Sequence, residues 1–127
     1  MPRVFVFGYR LACIGILIAL VVLSLLPANG MHRTELGGHA EHLLAYLGTA
    51  LVLGIGAGPG TRLPLLLTLI VYGGLLESLQ MFSPGRTPRV GDFLYSAVGV
   101  VVGMFVARLL QTLLRWETPT ATKSRVI

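Results

Sequence analysis

Charge is scarce in this chain. Only 12% of its 127 residues are Asp, Glu, Lys or Arg, about half the share a soluble domain carries. Cysteine is almost absent: Cys13 is alone, so neither a disulfide framework nor a cysteine metal cluster can form within one chain. It lies inside an apolar run, where packing is its role. There is no glycine-rich phosphate loop, no H-E-x-x-H pattern, no nucleophile beside a base and no redox-cofactor motif, so no cofactor and no metal are expected. What is present is apolar: 54% hydrophobic residues with 16 glycines and a mean hydropathy of +0.81. That excludes a disordered chain and points to a small, all-α membrane domain. The net charge of +5 would suggest nucleic acid for a soluble protein, but here the basic residues flank apolar segments and serve topology. No nucleic-acid partner is expected.

Four apolar segments of spanning character occur at about 4–26, 42–58, 63–81 and 93–114. The first is long for the core of a signal peptide and is followed by Pro27-Ala28-Asn29-Gly30, which lacks a small-x-small cleavage pattern. It therefore reads as a retained span. The second and third are short or interrupted by polar groups, yet a helix is the practical way to satisfy backbone groups in lipid. The expected architecture is an integral membrane four-helix bundle over 1–116, followed by a disordered cytoplasmic tail, 117–127. Six Lys and Arg residues (Arg3, Arg10, Arg62, Arg115, Lys123, Arg125) fall on one side and three (Arg33, Arg86, Arg89) on the other. Basic residues are retained in the cytoplasm, so both termini are expected there. Gly99 and Gly103 form a G-x-x-x-G spacing that permits close helix approach, within the bundle or, alternatively, in a homodimer.

The polar residues are unevenly placed. His39, Glu41 and His42 open the second span, Glu77 and Gln80 close the third, and Arg86, Arg89 and Asp92 follow in the loop, all on the extracytoplasmic side. Glu77 lies about one turn inside its span, and Gln80, three residues on, shares its face. Ionisable groups at such depth are functional candidates. Ser83-Pro84-Gly85-Arg86 fits a type II turn with Gly at the positive-φ position. That turn is expected to fold Arg86 over the end of the third span, where Arg86 or His42 would partner Glu77. A guanidinium there offers a planar fork for a carboxylate or phosphate. Arg89 reads as an exposed head-group arginine, and Asp92 as a cap for the fourth span. Tyr46, one turn from His42, would orient the imidazole or anchor at the interface. His39, Glu41 and His42, with Glu77 to complete the site, invite a metal reading, which is set aside for want of a ligand motif.

These residues resemble a known pattern. His42-Leu-Leu-Ala-Tyr46-Leu-Gly48, then Glu77-Ser-Leu-Gln80-Met-Phe-Ser-Pro84-Gly85-Arg86, then Asp92 and Gly99 look like the VanZ-like family of small bacterial membrane proteins. The likeness covers Gly38 to Gly103, about half the chain. Two positions depart from it: Gly38 stands where the family commonly has Asp, and Ser96 where it commonly has Asn. The resemblance implies a multi-pass protein of the bacterial cytoplasmic membrane, linked through the family's namesake to low-level resistance to the glycopeptide teicoplanin. It implies a polar set of His42, Glu77, Gln80, Arg86 and Asp92.

Three functions compete. The first and favoured one is a non-enzymatic envelope protein that binds an anionic membrane lipid, a lipid-linked cell-wall precursor or a glycopeptide at the outer face, with Arg86 holding the anion and Gln80 hydrogen-bonding it. The second is a membrane-embedded enzyme acting on a phosphorylated lipid or precursor, with Glu77 or His42 as acid or base. In the third, the polar cluster only closes the bundle.

Overall fold

The computed structural model describes residues 3–26 and 37–116. The expectations for Pro27 to Gly30, for Arg33 and for the tail lie outside the described residues. Among the described residues four helices occur in order: α1 (Arg3–Leu25), α2 (Gly38–Ile55), α3 (Arg62–Leu79) and α4 (Val90–Trp116), with a 3₁₀ turn, Gln80–Phe82, continuing α3. The all-α bundle is as expected. Among the described residues, α1, α3 with its 3₁₀ turn, and α4 are long and apolar enough to cross a membrane. This is a membrane protein, and exposed side chains such as Phe5, Phe7, Leu67 and Phe105 have lipid as their natural surroundings. The 18-residue α2 falls short of that measure because it begins with His39, Glu41 and His42.

Both α2 and α4 start three or four residues earlier than hydropathy indicates. Hydropathy marks where apolar side chains begin, whereas a helix begins where its backbone bonds do, here with Glu41 N–H on Gly37 O and Phe93 N–H on Arg89 O. Asp92 is therefore not a cap in the loop: it stands inside the first turn of α4, where a negative charge favours the helix dipole.

The tightest packing is between α2 and α4. A Cβ built on Gly99 would lie 2.5 Å from Leu43 O, and one on Gly103 would meet Leu47 O and the Ala50 Cβ. The two glycines thus let α4 lie directly on the α2 backbone. A homodimer through the same face would have to displace α2. Around this pair the core gathers Tyr46 and Ala50 of α2, Leu69 and Leu76 of α3, Val100 and Met104 of α4, and Leu20 of α1.

The hydrogen bonds fix which element ends lie together. Tyr9 donates to Val52 O and Leu53 O at 2.7 and 3.1 Å, and Gln111 Nε2 donates to Gly54 O, Ile55 O and Ala57 O. The start of α1, the end of α2 and the end of α4 therefore share one end of the bundle. The end of α1, the start of α2, the end of α3 and the start of α4 share the other, and every candidate site residue lies there.

Candidate functional site

The loop 83–89 is built from helix breakers. Ser83-Pro84-Gly85-Arg86 forms the expected turn, with Gly85 at φ 75° and Arg86 N–H on Ser83 O at 3.2 Å. Positive φ at the third position is what requires glycine. The turn does not carry the guanidinium to Glu77, however. Arg86 Nε donates to Leu26 O at 2.7 Å and an Nη donates to Leu23 O at 3.0 Å, while Ser83 Oγ donates to Leu25 O at 2.8 Å. The last carbonyls of a helix lack intrahelical donors and carry partial negative charge, and a cation is well placed to satisfy them. Arg86 is thus a clasp on α1 at the rim of the site.

Glu77 is 7% exposed, and its Oε1 accepts the Arg89 backbone N–H at 2.8 Å. That amide stands where Arg86 or His42 was expected. Proline at 88 and the turn at 84–85 bring residue 89 back under the end of α3, which is how a loop amide reaches a buried carboxylate.

His42 is oriented by Ser96, with Nδ1 and Oγ 3.1 Å apart, and not by Tyr46, which packs in the core. Ser96 Oγ also donates to Asp92 O at 2.9 Å. A hydroxyl has one proton; with that proton on the carbonyl, Ser96 can only accept from His42. The Nδ1 of His42 therefore carries hydrogen. In the neutral ring Nε2 is the bare acceptor, 3.9 Å from Asp92 Oδ2. The other carboxylate oxygen, Asp92 Oδ1, is 2.9 Å from His39 Nδ1, and His39 is itself stacked on Tyr95 with ring centroids 4.6 Å apart. One donor atom from each of His42, Glu77 and Asp92 lies within 4.8 Å of the others. Neither carboxylate is paired with a guanidinium among the described residues.

Above this trio is a polar cavity of about 180 Å³ lined by His39, His42, Gln80, Arg86, Arg89 and Asp92 among others. Gln80 is only 3% exposed, and its side-chain amide has no hydrogen-bond partner among the described residues. Beside the cavity, on the lipid side, runs an apolar cleft of about 470 Å³ between α3 and α4, walled by Val71, Leu75, Val90 and Phe93, with Glu77 and Arg89 at its polar end. Arg89 lines both spaces.

Four of the five residues singled out in the sequence, His42, Glu77, Gln80 and Asp92, converge at this site, and Arg86 reaches its rim with its guanidinium turned to α1. The sequence reading missed Ser96, the anchor of the His42 ring, and the place of Arg89 at the junction of the two spaces. Ser96 had one legible signal, its position a helical turn after Asp92. Serine, histidine and aspartate together suggest a nucleophilic triad, but Ser96 is 3% exposed with its proton held by a backbone carbonyl, so it is not presented to a substrate. No protein-family model, no curated protein and no solved structure matches this chain.

Proposed function

We propose that this chain is a VanZ-like protein of the bacterial cytoplasmic membrane that binds the head group of an anionic lipid or a lipid-linked cell-wall precursor at the extracytoplasmic face. The observation that carries this reading is the contact between two unlike spaces. A polar cavity lined by the Gln80 amide, which has no hydrogen-bond partner among the described residues, opens beside an apolar cleft, and Arg89 stands between them. That is the shape of an amphiphile: head group in the first, acyl chain along the second. The polar cavity is below the 300–1,000 Å³ of sites that enclose drug-sized ligands, so a glycopeptide would be held by a fragment at most. Any link to teicoplanin tolerance then runs through the lipid or precursor.

The purified full chain in zwitterionic nanodiscs doped with phosphatidylglycerol tests this, by native mass spectrometry of the lipid retained. Wild type should keep the anionic lipid preferentially, and Gln80→Ala and Arg89→Ala should lose that preference several-fold. Equal retention in all three overturns the reading. In cells, teicoplanin susceptibility at matched protein levels should follow the same order.

A membrane-embedded enzyme has one observation in its favour, the grouping of His42 with two carboxylates, a donor atom of each lying within 4.8 Å of the others. It predicts that Glu77→Gln abolishes turnover of a phosphorylated lipid while leaving its binding intact.

A further inference from the structure

We propose that His42, Glu77 and Asp92 are the protein ligands of a divalent metal ion of the zinc and manganese class, bound beneath the polar cavity with at least one coordination position open toward it. The site stands on its own geometry; the ion's task, holding a phosphate oxygen of the head group, rests on the reading above.

The three donors come from three helices, α2, α3 and α4, and converge within 4.8 Å of one another. An ion about 2.0–2.2 Å from each donor needs donor separations of about 3.3 Å in tetrahedral geometry. The pair His42 Nε2 and Asp92 Oδ2 at 3.9 Å is near that already, and side-chain rotations of about 1 Å would close the set. One imidazole and two carboxylates form a mixed nitrogen and oxygen set. Imidazole favours zinc and carboxylate suits manganese, whereas calcium and magnesium are usually held by oxygen alone.

The orientation of each donor is an independent observation. Ligands of a metal are held from behind by hydrogen bonds that aim them, and all three have such a holder here. Ser96 Oγ fixes the His42 ring through Nδ1, leaving Nε2 as the nitrogen available to a metal. The Arg89 N–H takes one oxygen of Glu77, and His39 stands against one oxygen of Asp92. The result is three donor groups within 4.8 Å of one another, each held from behind. With no guanidinium of the described residues on either carboxylate, a divalent cation is a partner that would balance both charges at once. Gln80, nine-tenths buried and without a side-chain partner among the described residues, lines the same cavity and would donate to a ligand on the open position. Cys13, in α1, is not part of this cluster.

The test uses the full chain in detergent, stripped with EDTA and titrated with Zn²⁺ and Mn²⁺ by calorimetry, with bound metal counted by elemental analysis. Wild type and Cys13→Ser should bind one ion per chain. Glu77→Gln and Asp92→Asn, which keep the shape and the acceptor oxygen that their neighbours use, should each weaken binding at least tenfold. Unchanged binding in both, or no bound ion in wild type, overturns the proposal. Cobalt substitution of wild type gives a readout independent of the variants: visible d–d bands distinct from those of aqueous Co²⁺ are expected, and a spectrum identical to the aqueous ion overturns the site. Phosphatidylglycerol vesicles and inorganic phosphate are then added to the cobalt form. A change with the vesicles alone assigns the open position to lipid, and one with both assigns it to phosphate in general. A stable cobalt site that responds to neither leaves the metal in place and overturns the head-group role.

Discussion

A single hydroxyl proton decides what His42 can offer. Because Ser96 donates to the Asp92 carbonyl, the imidazole must donate to Ser96, and its other nitrogen is directed at the carboxylates. Ser96→Ala removes the acceptor that fixes this tautomer without touching any donor atom of the trio. Nitrogen chemical shifts of His42 should then move from an Nδ1–H pattern toward a mixture of tautomers, with the helices unchanged by circular dichroism. Gln80 makes a prediction of opposite signs. Its amide bonds to no described residue and opens to the polar cavity, so an apolar group of similar shape removes no internal hydrogen bond. Gln80→Met should therefore leave the melting temperature equal or higher while retention of anionic lipid falls; a joint loss of both would show the amide to be structural.

At the scale of the helix, α1 is bound to the rest of the molecule largely by polar clasps. Its buried positions in the described chain are Leu20 and Ser24. Between these contacts, Tyr9 reaches across to the end of α2, Tyr72 of α3 donates to Leu17 O at 2.7 Å, and Ser83 and Arg86 take the carbonyls at its end. Lipid tails are as apolar as leucine, so hydrogen bonds and close packing hold helices together in a membrane. Tyr72→Phe should weaken the attachment of α1 by about 0.6–1.7 kcal/mol, and Arg86→Ala by about 1.5 kcal/mol, since the lost bonds are charge-assisted. Steady-state protein level and thermal stability in detergent report both. A loss of function in Arg86→Ala accordingly arises through the fold of α1 and, unlike Arg89→Ala, should be accompanied by lower abundance. The α2 and α4 pair depends on contact instead: Gly103→Val would drive a side chain into Leu47 O and should cost about 3 kcal/mol, the upper end of overpacking.

Seen whole, the molecule has a polar closure at each end. At one, Gln111 bridges three carbonyls at the end of α2 and accepts from Arg62 at 2.6 Å; at the other, the cavity sits over the trio. Topology can be read directly. On a Cys13→Ser background, Thr87→Cys should react with a membrane-impermeant maleimide in intact cells, and Thr61→Cys only after permeabilisation. The reverse pattern would invert the orientation inferred from Arg and Lys placement. This architecture was largely legible from residues: the apolar runs gave four helices, and the depth of Glu77 with its neighbour Gln80 gave the site. The type II turn at 83–86 was legible too, because proline and glycine fix their own dihedrals. Where Arg86 points was not, since a long side chain is directed by whichever acceptors the fold brings near, here carbonyls of a helix sixty residues upstream. The start of α2 was hidden for a related reason, because His39, Glu41 and His42 look like a loop to any measure of hydropathy.

The clasp on α1 also sets an order of assembly. The first helix leaves the ribosome early, but the groups that satisfy its final carbonyls, Ser83 and Arg86, are translated some sixty residues later. During synthesis that helix tip is served by water at the membrane surface, and it is locked only when the hairpin of α3 and α4 has arrived. The docking of one loop thus marks the completion of the nascent bundle, and a chain interrupted before residue 83 would present an unfastened first helix to the quality control of the membrane.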